Sequence, residues 1–240
     1  MDLADRMKYY EDVYANMLMR RTPVILRLDG RAFHTFTKRM SRPFDARFAT
    51  CMVLAATAIA EDAQGCKTFY VQSDEASFLL TDYDRHETEP WLGNDVQKMV
   101  SLAASRMTMV FNSEMEKRAG QIGGCFDARV FNVPREEVVN YFLWRARDWK
   151  RNSLQMYARY YFTHKQLDGK NAAAMHEMLH KIGRNWASLD STWRNGYLAV
   201  KKDRNWLVET ETNWDYSALE AVLQSSICPD LDGLEEQGGE

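Results

Sequence analysis

Two β-prone runs, Thr68-Phe69-Tyr70-Val71-Gln72 and Ala76-Ser77-Phe78-Leu79-Leu80, are separated by three residues, and that spacing confines what the chain can fold into. Runs so close together pair as an antiparallel hairpin, with Ser73-Asp74-Glu75 at its tip. Upstream, Val24-Ile25-Leu26-Arg27-Leu28 reads as a buried strand that enters a tight turn at Asp29-Gly30. Pro43 and Asp45 open a long apolar helix through Phe48, Met52, Leu54, Ala55 and Ile59, which Gly65 stops. A second long helix is expected over about residues 96–118, ended by Gly120, Gly123 and Gly124, and a strand over residues 127–133 follows, closed by Pro134. An amphipathic helix over residues 7–18 precedes all of these, its apolar side chains at helical spacing up to the stop at Pro23. The order strand, helix, hairpin, helix, strand predicts an α+β domain, an antiparallel sheet with helices on one face.

From residue 135 to 164 aromatic and basic side chains interleave, among them Tyr141, Trp144, Arg145, Arg147, Trp149, Lys150, Arg151, Tyr157 and Arg159. Helical spacing makes the aromatics a core stripe on one long helix or a helix pair. A helix over residues 171–181 and a last strand over 197–200 complete this part. The formal charge of −3 argues against a polyanionic partner until it is divided. Residues 203–240 hold ten acids and one base, whereas residues 1–202 hold 30 Lys plus Arg against 24 Asp plus Glu. The body is therefore basic, which on charge alone fits a nucleic-acid partner and an ordinary solvated surface equally, and residues 203–240 are expected as an acidic, partly disordered tail, with disorder at 234–240. No apolar run is long enough to span a bilayer and the first residues lack a signal-peptide order, so a cytoplasmic location without membrane contact is expected. Four scattered cysteines, Cys51, Cys66, Cys125 and Cys228, are expected as reduced, buried thiols.

Asp29 closes the first strand and Asp74 and Glu75 cap the hairpin expected beside it, so three carboxylates converge at one end of the sheet. Singly, each is an ordinary turn residue. Together they repel unless cations intervene, and two Mg²⁺ ions roughly 3.5–4 Å apart would both relieve the repulsion and serve phosphoryl transfer.

These residues also carry a family resemblance. Arg27-Leu28-Asp29-Gly30-Arg31-Ala32-Phe33-His34-Thr35-Phe36 and Tyr70-Val71-Gln72-Ser73-Asp74-Glu75-Ala76-Ser77-Phe78 are similar to the two signature segments of the tRNA-His guanylyltransferase superfamily. Phe126-Asp127-Ala128-Arg129 and Trp193-Arg194-Asn195-Gly196 match its later landmarks in order. The resemblance spans about residues 5–202. It implies a polymerase-palm-like (ferredoxin/RRM-like) catalytic domain over residues 1–133 and a helical extension with a closing strand over 134–202. It also implies nucleotide addition to the 5′ end of tRNA, in the 3′-to-5′ direction, and a homotetramer. ATP would activate a 5′-monophosphate end, which the 3′-hydroxyl of an incoming nucleotide such as GTP then attacks. By the same resemblance Asp29, the Gly30 carbonyl and Asp74 hold two Mg²⁺, and Glu75 is the adjacent catalytic acid beside Asp29 and Asp74. Asp29, Gly30, Arg31, Ala32, Phe33 and His34, with Ser73 and Asp74, hold the nucleotide. Arg27, Arg42, Lys98, Lys150, Arg151 and Asn152 are the expected phosphate or RNA contacts.

Enzymes dedicated to the extra guanosine of tRNA-His carry His-Ile-Asn-Asn-Leu-Tyr-Asn where this chain has Lys150-Arg151-Asn152-Ser153-Leu154-Gln155-Met156. Only Asn152 and Leu154 are kept, which points to the guanylyltransferase-like branch and template-directed repair of truncated 5′ ends. Dedicated tRNA-His guanylyltransfer is the alternative. From other classes come a tRNA-binding protein without chemistry and a zinc metallopeptidase built on His176-Glu177-Met178-Leu179-His180. The longer form of that zinc motif needs a histidine where Trp186 stands, which leaves Glu209 or Glu211 to substitute.

Overall fold

The computed structural model describes residues 1–202, 205–209 and 214–227. Four strands, β1 (Val24–Gly30), β2 (Cys66–Gln72), β3 (Glu75–Leu80) and β4 (Phe126–Asn132), lie in the order β4-β1-β3-β2, and β5 (Tyr197–Lys202) and β6 (Asn205–Glu209) extend the sheet beyond β2. Every neighbouring pair is antiparallel. β1 and β2 therefore run the same way with β3 between them, a split β-α-β arrangement consistent with a palm-like fold.

Side chains alternate across the sheet, and both faces are apolar. Leu26, Leu28, Phe69 and Phe78 pack under α3 (Ala46–Asp62) and α4 (Val96–Ala119). Ile25, Tyr70, Leu79 and Leu198 pack under α5 (Val138–Tyr161) and α9 (Tyr216–Ile227). The single covered face expected from the sequence is thus corrected to two, because runs such as Val24–Leu28 are apolar at odd and even positions alike. On the first face Phe33 of the short helix α2 (Phe33–Phe36) meets Phe36, Phe48, Phe111 and Phe126 at ring separations of 4.9 to 5.9 Å. That aromatic cluster anchors the turn that follows Gly30.

The amino-terminal helix, α1, covers Leu3–Asp12 rather than 7–18, and all of it is exposed. After a turn at residues 13–14, Leu18 N–H donates to the Asn94 carbonyl and Val96 N–H to that of Asn16, so residues 16–18 pair instead of coiling. α6 (His164–Leu167), α7 (Ala172–Lys181) and α8 (Ser191–Asn195) follow α5. The second half of α5 shares an apolar cluster with α7 around Leu154, Tyr157, Met175, Leu179 and Trp186.

Residues 205–209 and 214–227 are not a tail. β6 pairs with β5, and Leu219 and Leu223 of α9 are fully buried with Tyr70 and Trp214. The disorder expected at 234–240 lies outside the described residues. Burial raises the thiols of Cys51 and Cys66 to about 11 and about 12. Cys125, by contrast, is exposed in the turn before β4, where its carbonyl accepts from Arg31 N–H at 2.8 Å, and Cys228 lies outside the described residues. Since α9 is core, Leu223→Ala should destabilise the protein by about 2–5 kcal/mol in urea denaturation. An unchanged midpoint would show that α9 does not hold the second face.

Candidate active site

The hairpin tip and the end of β1 meet as the sequence spacing requires. Asp29 is the cross-strand partner of Glu75, and Gly30 N–H donates to the Asp74 carbonyl at 2.9 Å. A Cβ on Gly30 would stand 2.8 Å from Asp74 Cβ and 2.5 Å from Phe33 Cδ2, so only glycine lets the hairpin tip close on β1. Ser73 and Ala32, on either side of this contact, hold φ of +48° and +56°, left-handed backbone that L residues adopt at a cost.

Asp29, Gly30, Ser73, Asp74 and Glu75 are therefore brought together. Burial pushes the Asp74 carboxyl above its ordinary range, hydrogen bonds from its own amide and from Ser73 oppose the rise, and the nearby Asp29 and Glu75 add to it. Glu75 is engaged differently. Arg145 Nε and Nη2 donate to its two oxygens at 2.6 and 2.7 Å, and Arg27 Nη2 lies 2.6 Å from Oε2. Arg27 also bonds Asp29 Oδ2 at 3.1 Å, so this expected phosphate contact bridges two acids. The three carboxylates do not form a common cage, and among the described residues no group of three or more His, Cys, Asp and Glu side chains is set to hold a metal. Asp29 lies near enough to Asp74 to raise its carboxyl, and with the backbone at Gly30 these groups offer hard oxygen donors of the kind Mg²⁺ takes.

The remaining expected contacts divide. Arg31 and Ala32 are exposed in the turn after Gly30 and His34 is exposed on α2, while the Phe33 ring is spent in the aromatic core. Lys150 is exposed on α5, Arg151 pairs with Asp148, and Asn152 Nδ2 donates to Asp148 at 3.4 Å. Lys98 is not brought to the site. It sits in the first turn of α4, beside Asp95, which bridges to Met17 at the Val24 end of β1, opposite Asp29.

Next to Ser73 opens a cavity of about 270 Å³. Phe44 and Trp193, stacked 9° from parallel at 5.0 Å, line it with Trp149 and Met156, and Arg42 and Arg159 are among its polar lining residues. The Arg47 guanidinium holds the neighbouring Asp45 carboxyl well below its usual range, fixing the start of α3 at this wall. The Trp193-to-Gly196 segment is positioned by Tyr70, whose hydroxyl donates to the Asn195 carbonyl at 2.7 Å, and by Ser153, whose hydroxyl donates to that of Trp193 at 2.6 Å. Sequence reasoning passed over Phe44, Trp149, Met156, Trp193 and Arg145 as site residues. The bases set between aromatics on α5 were the available signal for Arg145.

The zinc reading loses its frame here. Met175 and Leu179 on α7 are core, His176 packs edge-on to Trp186 at 5.7 Å, and the buried Trp186 donates to Ser153 Oγ at 3.0 Å. Glu209 faces Lys202, and Glu211 lies outside the described residues. Among the described residues no helix is long and apolar enough to cross a membrane.

The family model described as Thg1, tRNAHis guanylyltransferase, matches residues 4–134. The tRNA(His) guanylyltransferase of Schizosaccharomyces pombe is 28% identical over 222 residues, covering 83% of this chain and 81% of its own. The probable tRNA(His) guanylyltransferase of Drosophila melanogaster is 29% identical over 196 residues, or 75% and 67% of the two chains. Among solved structures, a bacterial tRNA(His) guanylyltransferase (Thg1)-like protein in complex with ATP matches with a TM-score of 0.89 at 38% identity, covering 93% of this chain and 98% of that one. A structure of a bacterial protein of the same description with GTP matches at 0.79 and 33%, with the same coverage. Because the family model matches more than half of its length, the chain belongs to the tRNA-His guanylyltransferase family, whose members are nucleotidyltransferases.

Proposed function

We propose that this protein adds nucleotides to the 5′ end of a tRNA, with Asp29, the Gly30 carbonyl and Asp74 holding Mg²⁺. The observation that carries the reading is the closure of Asp74 onto the Asp29-Gly30 turn, which gathers oxygen donors at a strained, glycine-dependent contact. Two bound cations would neutralise phosphate charge and favour ionisation of the attacking hydroxyl. The chain's own part is positioning. In this reading the nucleobase sits in the cavity beside Ser73 against Phe44, Trp193 and Trp149, and Arg42, which also lines it, meets the phosphates. The exposed residues Arg31, Ala32 and His34 follow the triphosphate, and Lys150, Arg151 and Asn152 follow the RNA strand along α5. In transfer the 3′-hydroxyl oxygen of the incoming nucleotide gives up its proton and bonds to the α-phosphorus, the one carried on the RNA's own 5′ oxygen, while the bond from that phosphorus to the bridging oxygen breaks. AMP leaves from an adenylylated end, or pyrophosphate from a triphosphate end.

Guanosine addition to tRNA-His is the specific reaction best supported, since the relatives carry that activity in their names. One observation favours template-directed repair as a second reading. Ser153 is spent on Trp193 and Trp186, and Met156 lines the cavity, at positions where dedicated enzymes carry asparagine. The exposed apolar side chains Leu3, Met7 and Tyr10 on α1, with Tyr14 just beyond it, support assembly into the homotetramer expected for the family.

Purified protein given ATP, GTP and Mg²⁺ should lengthen a 5′-labelled tRNA. Extension confined to tRNA-His selects the first reaction, and templated extension of truncated tRNAs selects the second. Asp29→Ala should lower the rate by about 1000-fold or more, and equal rates would sink the assignment of Asp29. A carboxyl raised in the folded state favours folding most below its ordinary value of 3.8, and that contribution is lost as pH rises. Asp74→Asn should accordingly raise the melting temperature without divalent cation by about 2–4 °C at neutral pH while abolishing transfer. Mg²⁺ should raise the melting temperature of the wild type but not of this variant.

A further inference from the structure

Arg145 makes the best-formed ion pair in the site and has no part in the reading above. Its two parallel bonds to Glu75 are shorter than 2.8 Å, and both side chains are less than a tenth exposed. Its Nη2 also donates to Asp148 at 3.2 Å, and its guanidinium lies 4.4 Å from the Trp144 ring centroid, so the group is held on several sides. Such a buried fork is weak evidence for stability, because an apolar pair of equal volume often serves as well. Its location is what informs. Glu75 is the cross-strand partner of Asp29, and the two acids share one further cation, Arg27, at 2.6 and 3.1 Å.

We propose that Arg145 is a positioning residue for nucleotide transfer, acting through Glu75 and Arg27 on Asp29. While Arg145 satisfies both oxygens of Glu75, Arg27 is divided between Glu75 and Asp29 and fixes the direction in which the Asp29 carboxylate points. Without the fork, Glu75 keeps Arg27 as its remaining cation and draws it away from Asp29. Asp29 then gains negative field but loses its orientation. The proposal rests on the reading of Asp29 as a cation-holding residue and extends it to a side chain on the far helix.

The test uses the full chain with Arg145→Lys and Arg145→Met. Lysine keeps the buried charge, and with it the fold, but has no planar fork. Mn²⁺ affinity is measured by electron paramagnetic resonance without RNA or nucleotide, and single-turnover rate and nucleotide KM are measured on tRNA. Circular dichroism melts report folding. Arg145→Lys should bind Mn²⁺ several-fold more tightly, because a positive charge has left Asp29. Its single-turnover rate should fall by about 100-fold, the scale of a small misplacement at the reacting centre, with KM within about twofold of wild type. If Arg145→Met folds, it should show the same split more strongly. Unchanged Mn²⁺ affinity and rate overturn the proposal. So does a parallel loss of both, which marks a collapsed site, or a rise in KM alone, which marks a substrate contact. Should the wild type transfer no nucleotide to any tRNA, the functional reading fails, whereas the Mn²⁺ comparison still decides the role of Arg145.

Discussion

Two carboxylates set opposite one another on neighbouring strands are the constraint around which this molecule is arranged. Asp29 and Glu75 occupy paired positions on β1 and β3, and in a sheet interior like charges so placed oppose pairing. The chain resolves the conflict with two guanidinium groups, one from the strand itself and one from α5. That solution dictates much of the rest. α5 must cross the sheet face at the level of Glu75, so its preceding turns carry Val138, Val139 and Phe142 onto the apolar part of the face, and α9 covers what α5 leaves open.

The register shows how sharply the face changes character. Phe131, Ile25 and Leu79 form an apolar row across β4, β1 and β3. Two residues along, the row is Arg129, Arg27 and Ser77, continued on β2 by Tyr70, and two further it is Asp127, Asp29 and Glu75, continued by Gln72. Core becomes candidate active site within about 13 Å at ~3.3 Å per residue. The acids are thus carried on strands whose position is already determined by burial, which is how a scaffold holds a charged site to the precision that phosphoryl transfer needs.

The parts legible in the sequence were those governed by local chemistry. β-Prone runs, the short hairpin spacing and the Asp29-Gly30 turn placed the strands and the meeting of Asp29 with Asp74. What escaped depended on contacts between distant segments. Arg145 lies seventy residues from Glu75, and nothing local marks the pairing. α9 was hidden by the acids on either side of it, since residues 203–240 hold ten acids and one base, although α9 itself holds one acid and its Leu219, Leu223 and Ile227 recur at helical spacing and are buried. Lys98 looked available for phosphate, but β3 exits at the Val24 end of β1, so α4 begins on the wrong side of the sheet for its first turn to reach the acids. The zinc motif was a true pattern of letters on a helix whose intervening Leu179 is core and whose distal partner, Trp186, is packed.

The backbone at the site bears on why this arrangement persists. Ala32 and Ser73 are left-handed without being glycine, and Asp74 is a carboxyl whose charge the surroundings disfavour. Each feature lowers the stability of the free protein, and they occur within a few residues of one contact. A fold selected for stability alone would place glycine or asparagine in those turns and an amide at Asp74. The aromatic cluster behind Phe33 and the Arg145 fork behind Glu75 supply the surrounding rigidity that keeps the strained segment in one conformation. The cost is concentrated where hard oxygen donors gather, so a bound cation that relieves Asp74 would stabilise the same segment that the scaffold holds in tension.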